Sequence, residues 1–217
     1  MAMQQPFTTS SPTLANYDWT DLADGTGIKN LYGCMGKDST GSSYFLTQDA
    51  TLLSNDIQTV GTGVGTGDTF GKSLDLDFDL ELNIARQIRG SMVVQAATLF
   101  GFTGGSTNNF YGYAVFKLRK WDGTTETEIA SVQSETYSGG TAGGNLLNGC
   151  VLEMEVPDTN IAQGESLRLT VELWCKRSTD GTAYGTLAHD PAMREGNFTT
   201  DEDYTTQLKI GVPFKIE

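Results

Sequence analysis

The sequence has one histidine, His189, and three cysteines, Cys34, Cys150 and Cys175, in 217 residues. A single histidine excludes a histidine-cluster metal site and leaves histidine-dependent catalysis with one candidate. The cysteines are odd in number, widely spaced and without CxxC or zinc-ligand spacing, which favours reduced thiols over a secreted disulfide framework. Cys175, following Trp174 at the end of an apolar-rich run, reads as a buried, inert thiol. Basic residues are scarce too: 14 Lys plus Arg against 27 Asp plus Glu give a net charge of −13. Such a surface repels phosphate backbones and anionic headgroups, so neither nucleic acid nor a membrane is expected as a direct partner. No stretch approaches the ~18 apolar residues of a membrane helix. The opening MAMQQPFTTSSP lacks the basic and apolar regions of a signal peptide, so synthesis in a cytoplasm is expected and the Asn197-Phe198-Thr199 sequon reads as coincidence.

Helical periodicity is also missing. No window sustains apolar residues at i, i+3, i+4 and i+7 with a cap and a stop, and the best candidate, Asp49 to Ile57, offers a turn or two. Period two dominates instead. In LDLDFDLELNI, residues Leu74, Leu76, Phe78, Leu80, Leu82 and Ile84 alternate with Asp75, Asp77, Asp79, Glu81 and Asn83, which predicts a half-buried strand. Further strands are expected over Ser91 to Phe100, Tyr113 to Trp121, Thr127 to Tyr137, Val151 to Val156 and Leu167 to Cys175. A last one is expected in TTQLKIGVPFKIE, where Pro213 marks a bulge or an edge. Asp122-Gly123 predicts a hairpin turn, and Pro157 and Gly164 are placed in a connection. Eight to ten strands with Gly-rich turns predict an all-β, jelly-roll-like β-sandwich over residues 26–217. Residues 1–25 hold few core positions and read as an extended N-terminal arm, anchored by Phe7, Leu14 and Trp19 on the body or on a neighbouring subunit.

No motif carries recognised chemistry. GTGVGTG, residues 61–67, misses the dinucleotide fingerprint at Thr66 and precedes a strand, so it reads as a flexible connection. His189-Asp190 lacks a Gly-x-Ser-x-Gly partner and reads as a loop stiffened by Pro191, with a His–Asp catalytic pair as the alternative. The carboxylates of Asp75, Asp77, Asp79 and Glu81 share one strand face roughly 7 Å apart, where like charges repel. Three readings stand: a solvated face compensated by Lys117 and Arg119 across a strand pair, a subunit interface meeting basic groups, or calcium ligands. Among the aromatics, Tyr111 and Tyr113 share a face with Val115 and are expected in the core. Trp121, at a hairpin tip, is the candidate glycan contact. No cofactor and no metal are expected.

Several blocks resemble a known family. YAVFKLRKWDGTTETEIASVQSE, VPDTNIAQGESLRLTVELW, LAHDP and a closing VPFKI, with YDWTDLADGTGIKNLYGC near the N-terminus, look like virion structural proteins of tailed bacteriophages and related viruses. The resemblance implies a jelly-roll subunit on the capsid exterior, of the decoration or minor capsid type, and transfers no catalytic residue. On it rest four expectations: a non-enzymatic role, a virion location, other virion proteins such as the major capsid protein as partners, and a homo-oligomer such as a trimer. The competing reading is a receptor- or glycan-binding module of a tail or fibre.

Overall fold

In the computed structural model, which describes residues 26–37, 39–65, 67–103, 110–139, 145–177, 181–194 and 206–215, the described residues form twelve strands and no helix. They are β1 (Thr26–Lys37), β2 (Ser42–Thr47), β3 (Gln58–Val60), β4 (Gly67–Glu81), β5 (Arg86–Thr103) and β6 (Phe110–Trp121). The second half holds β7 (Glu126–Gln133), β8 (Tyr137–Gly139), β9 (Leu146–Ile161), β10 (Ser166–Arg177), β11 (Thr182–Ala188) and β12 (Lys209–Lys215). The arm residues Phe7, Leu14 and Trp19 lie outside the described residues.

Two antiparallel layers make an all-β sandwich. In one, β10 lies between β4 and β6, and β7 and β8 continue outward from β6. In the other, β9 runs along one edge of the long β5, while β12 and β11 share its opposite edge and lead to β1 and β3. The layers join where β2 meets β4 through one parallel bridge, Phe45 to Asp79.

The sequence pattern accounts for most of this. On β4, Leu74 and Phe78 are buried, as the alternation requires, while Asp75 and Glu81 are exposed. Strand limits differ from expectation for local reasons. β9 continues through Pro157 to Ile161, with a register shift against β5 between Ile88 and Gly90; an edge strand tolerates a residue without an N–H. The Pro213 irregularity is a bulge and not an edge, since β12 lies between β1 and β5 and its register shifts between Gly211 and Phe214. The Asp49–Ile57 stretch forms turns and bends, not helix. GTGVGTG is no loose connection. Gly61 N–H donates to the Gly185 carbonyl at 2.8 Å, Thr62 N–H to Ser73 at 2.7 Å, and Val64 exchanges bonds with Ala183. All three thiols are buried, and burial pushes Cys150 up to about 11 and Cys175 to about 12.

Between the layers, Phe100 of β5 lies on Gly112 of β6: a Cβ at Gly112 would meet the Phe100 ring at 2.3 Å. Both residues are buried. Gly112→Ala is therefore expected to cost ~1–2 kcal/mol, the lower part of the overpacking range, read as a lower midpoint of urea unfolding with an unchanged slope.

Candidate functional site

The acidic strand lies beside β10, and β10 supplies its compensation. Arg168 sits opposite Asp79 in the β4–β10 register and binds it with both arms of the fork, Nε to Oδ1 at 2.6 Å and Nη2 to Oδ2 at 2.7 Å. Its Nη1 reaches Asp77 at 3.4 Å and also pairs with Glu126 of β7. Hydrogen bonding to Asp79 raises the pKa of this guanidinium further. Thr170 donates to Asp77 at 2.5 Å. Farther along, Glu172 is 5% exposed and accepts from Lys117 at 2.9 Å and Trp174 Nε1 at 3.0 Å, with Lys72 at 3.4 Å. Burial alone would raise the Glu172 carboxyl, but these donors hold it below its ordinary value. Lys72 also bridges to Asp75 at 2.5 Å. Arg119 turns away to Glu126 at 2.7 Å. The expected compensation by Lys117 and Arg119 is thus corrected: β10 intervenes, and Arg168 is the main partner of the ladder.

Aromatic rings complete the same outer face. Tyr113 and Trp174 stack at 6.2 Å with an interplanar angle of 8°, and Phe70 meets Tyr113 edge-on at 4.8 Å. Lys176 lies between Phe70 and Tyr111, at 4.8 and 5.1 Å from their centroids. The core expectation for Tyr111 and Tyr113 fails. Phe110, Gly112, Ala114, Phe116 and Leu118 take the buried positions of β6, and the two tyrosines alternate outward with Val115. Trp121 covers Arg168, whose guanidinium carbon is 4.6 Å from its ring. That contact gives Trp121 a place in the charged ladder. Glu81 is exposed at the end of β4.

The His-Asp-Pro segment lies in a loop, as expected, and that loop is buried. His189, fully buried, places Nε2 2.7 Å from Thr59 Oγ1 and Nδ1 3.3 Å from Ser54 Oγ. Burial lowers its pKa to about 4. Asp190 accepts from Ser54 N–H at 3.3 Å and from Arg194 N–H and Nε at 2.8 and 2.9 Å. Burial would raise this carboxyl, and the Arg194 contacts hold it below its ordinary value. Asp190 thus grips Ser54 and Arg194 instead of orienting the imidazole. Ser54 Oγ accepts from Met35 N–H at 2.8 Å and is 2% exposed, so this constellation ties β1, β3 and β11 together as a polar core.

No protein-family model matches the chain, and no curated protein is similar to it. Solved structures do match. An α-amino acid ester hydrolase aligns over 86% of this chain with a TM-score of 0.50 and 11% identity. An aminopeptidase from a marine sediment Thaumarchaeota archaeon covers 88% with a TM-score of 0.49 and 10% identity. The infectious bursal disease virus Gt strain structure covers 96% with a TM-score of 0.36 and 12% identity. The chain spans 36% and 37% of the two hydrolytic enzymes and 47% of the viral chain. At 11% identity the likeness is one of fold. It still corrects the expectation of a non-enzymatic role: a sandwich of this kind occurs within hydrolase chains, so fold and missing motifs no longer exclude hydrolytic activity.

Proposed function

We propose that the chain is a structural subunit of a virus particle, placed on the capsid exterior as a decoration or minor capsid subunit. The blocks that resemble virion proteins supply the β6–β7 hairpin, the end of β9 with the turn into β10 and most of β10, together with the end of β11 and most of β12. The observation that carries the reading is a contrast between the two outer faces. The β4–β10–β6 face is closed on itself by ion pairs and covered rings. The β5–β9 face exposes Val93 and Val151, 40% and 69% accessible, on one side of the sheet beside a shallow hollow over Gly211. Exposed valines on a strand face, here set opposite Glu153 and Gln95, offer contacts for docking onto another subunit. The partner is the major capsid protein or a neighbouring copy, with cyclic trimers as one closed arrangement.

The test is mass spectrometry of washed virions. The proposal expects the protein to copurify with particles, and its absence after washing overturns it. Val151→Arg, exposed and remote from the core, is expected to leave the fold intact while reducing particle occupancy severalfold. Residues 1–25 form the proposed attachment arm, and deleting Met1 to Pro12 is expected to reduce occupancy or oligomer mass, measured by light scattering. Glycan binding that depends on Trp121 would favour the adhesion reading.

A further inference from the structure

Between Thr47, the last residue of β2, and Gly61 the chain leaves the body and returns as the short edge strand β3. Both ends of this segment are fixed: Thr47 pairs with Tyr32 of β1, and Gly61 N–H donates to the Gly185 carbonyl. Within residues 48–60 the one buried side chain is that of Ser54. Leu52, Leu53 and Val60 are exposed, and Ile57 is only half-buried, against Ala97, Leu99 and Ala188. Hydrophobic burial therefore contributes little to the attachment of the segment, which rests on polar contacts. They converge on Ser54. Its hydroxyl meets Met35 N–H and His189 Nδ1, its N–H donates to Asp190, and its carbonyl accepts from Arg194. Beside it, Asn55 N–H donates to the Met35 carbonyl at 2.8 Å and His189 N–H to the Ile57 carbonyl at 2.9 Å. Thr59 Oγ1 joins His189 Nε2 to the Tyr44 hydroxyl. β3 itself adds only Gln58 to Val60, paired with β11.

His189 stands under this segment, in surroundings that suit a neutral ring. Its nitrogens meet the hydroxyls of Ser54 and Thr59, and the rings of Tyr44 and Phe78 lie 5.7 and 6.2 Å from its centroid. The titratable groups around it are Asp56 of the segment, Asp190 and Arg194 of its own loop, Tyr44 of β2 and, beyond Ser54, Cys34 of β1. Asp56 and Asp190 favour the imidazolium, but neither carboxylate hydrogen-bonds the ring, and burial outweighs them. A charged ring would be a buried cation with hydroxyls alone as partners.

We propose that residues 48–60 form an acid-released flap: protonation of His189 detaches Ser54 and β3 from the body, while Thr47 and Gly61 stay fixed as hinges. Only the open form lets the imidazolium reach water. Below pH 6.5 each unit of acid therefore multiplies the open population about tenfold, down to the titration of the buried ring near pH 4. Opening uncovers the outer edge of β11 from Thr186 to Ala188, leaving its backbone groups free to pair with another strand.

Native-state hydrogen exchange of the full chain, followed by NMR from pH 6 to pH 4.5 and corrected for intrinsic rates, tests this. The reporters are the amides of Met35, Ser54, Asn55 and His189, whose bonds cross between segment and body. Their protection should fall about tenfold per pH unit and stay insensitive to low urea, as a local opening requires. Amides of the central strand β10 should be better protected and lose that protection steeply in urea. His189→Gln should abolish the pH slope of the reporters and leave their indifference to urea. Ser54→Ala deletes the anchor but leaves His189 to titrate, so Asn55 and His189 should lose about tenfold protection already at pH 7. Reporters that share the urea dependence of β10 overturn the proposal, because the segment then opens only with the whole chain. So does an equal pH slope in wild type and His189→Gln. If circular dichroism shows His189→Gln unfolded, unchanged protection of Asn55 in a folded Ser54→Ala variant overturns it instead.

Discussion

Acidification from pH 7.5 to pH 4 is expected to remove about 3 kcal/mol of stability through His189 alone. Its imidazole is neutral in the fold, with a pKa lowered from 6.5 to about 4 by burial between Ser54 and Thr59. The unfolded chain therefore takes up a proton near pH 6.5 that the folded chain refuses until about pH 4. Stability from this group is complete above pH 6.5, declines as pH falls, and is exhausted below the folded value. Each pH unit between the two is worth 1.36 kcal/mol, which sets the total. Asp190, with its carboxyl held low beside Arg194, acts in the same direction: protonation in acid uncouples Arg194 and Ser54. For a chain of this size the imidazole contribution corresponds to a fall of roughly 6–12 °C in Tm. His189→Gln retains hydrogen-bonding capacity without a titration near pH 6, so its Tm should start lower and fall less over the same range. Equal falls in the two proteins would remove His189 from the explanation.

Arg168→Met is the second large effect. The substitution keeps the aliphatic stem under Trp121 and deletes the charge that binds Asp79, Asp77 and Glu126. Three carboxylates are then left together, and Thr170 alone cannot compensate them. Breaking a buried ion pair costs about 3–5 kcal/mol. Asp77 and Asp79 each keep 36% of their side-chain surface in water, so about 3 kcal/mol is expected here. Part of it should return in 1 M salt, because repulsion between partly exposed carboxylates is screened. Restoring neutrality with Asp79→Asn in the same chain should recover stability beyond additivity. A loss below 1 kcal/mol, or one unaffected by salt and by Asp79→Asn, would show that the ladder is decorative.

These two sites differ in how far the sequence reveals them. The acidic ladder is legible because LDLDFDLELNI alternates without interruption, and β4 follows it as far as Glu81, leaving Leu82 to Ile84 outside the strand. Arg168, Thr170, Glu172 and Trp174 alternate in the same way within LRLTVELW, so the polar face of β10 was available to the same argument. What hides the pairing is that period two assigns faces and not neighbours, and β10 rather than β6 lies beside β4. The tyrosines of β6 mislead for a steric reason. Gly112 and Ala114 occupy the core positions because Phe100 fills the space above Gly112, so the larger side chains mark the outer face. The His189 cluster is invisible to local pattern: Ser54 and Thr59 stand 135 and 130 residues away in sequence, and only β3 pairing with β11 brings them within reach.

Electron microscopy of intact particles with a gold-labelled antibody against this chain tests the central claim most directly. Label around the outside of the capsid, at a constant number per particle and lost when Val151→Arg replaces the wild type, is the result expected of an exterior subunit docked through the β5–β9 face. Label confined to tails or fibres, or binding only after particles are broken open, would contradict it.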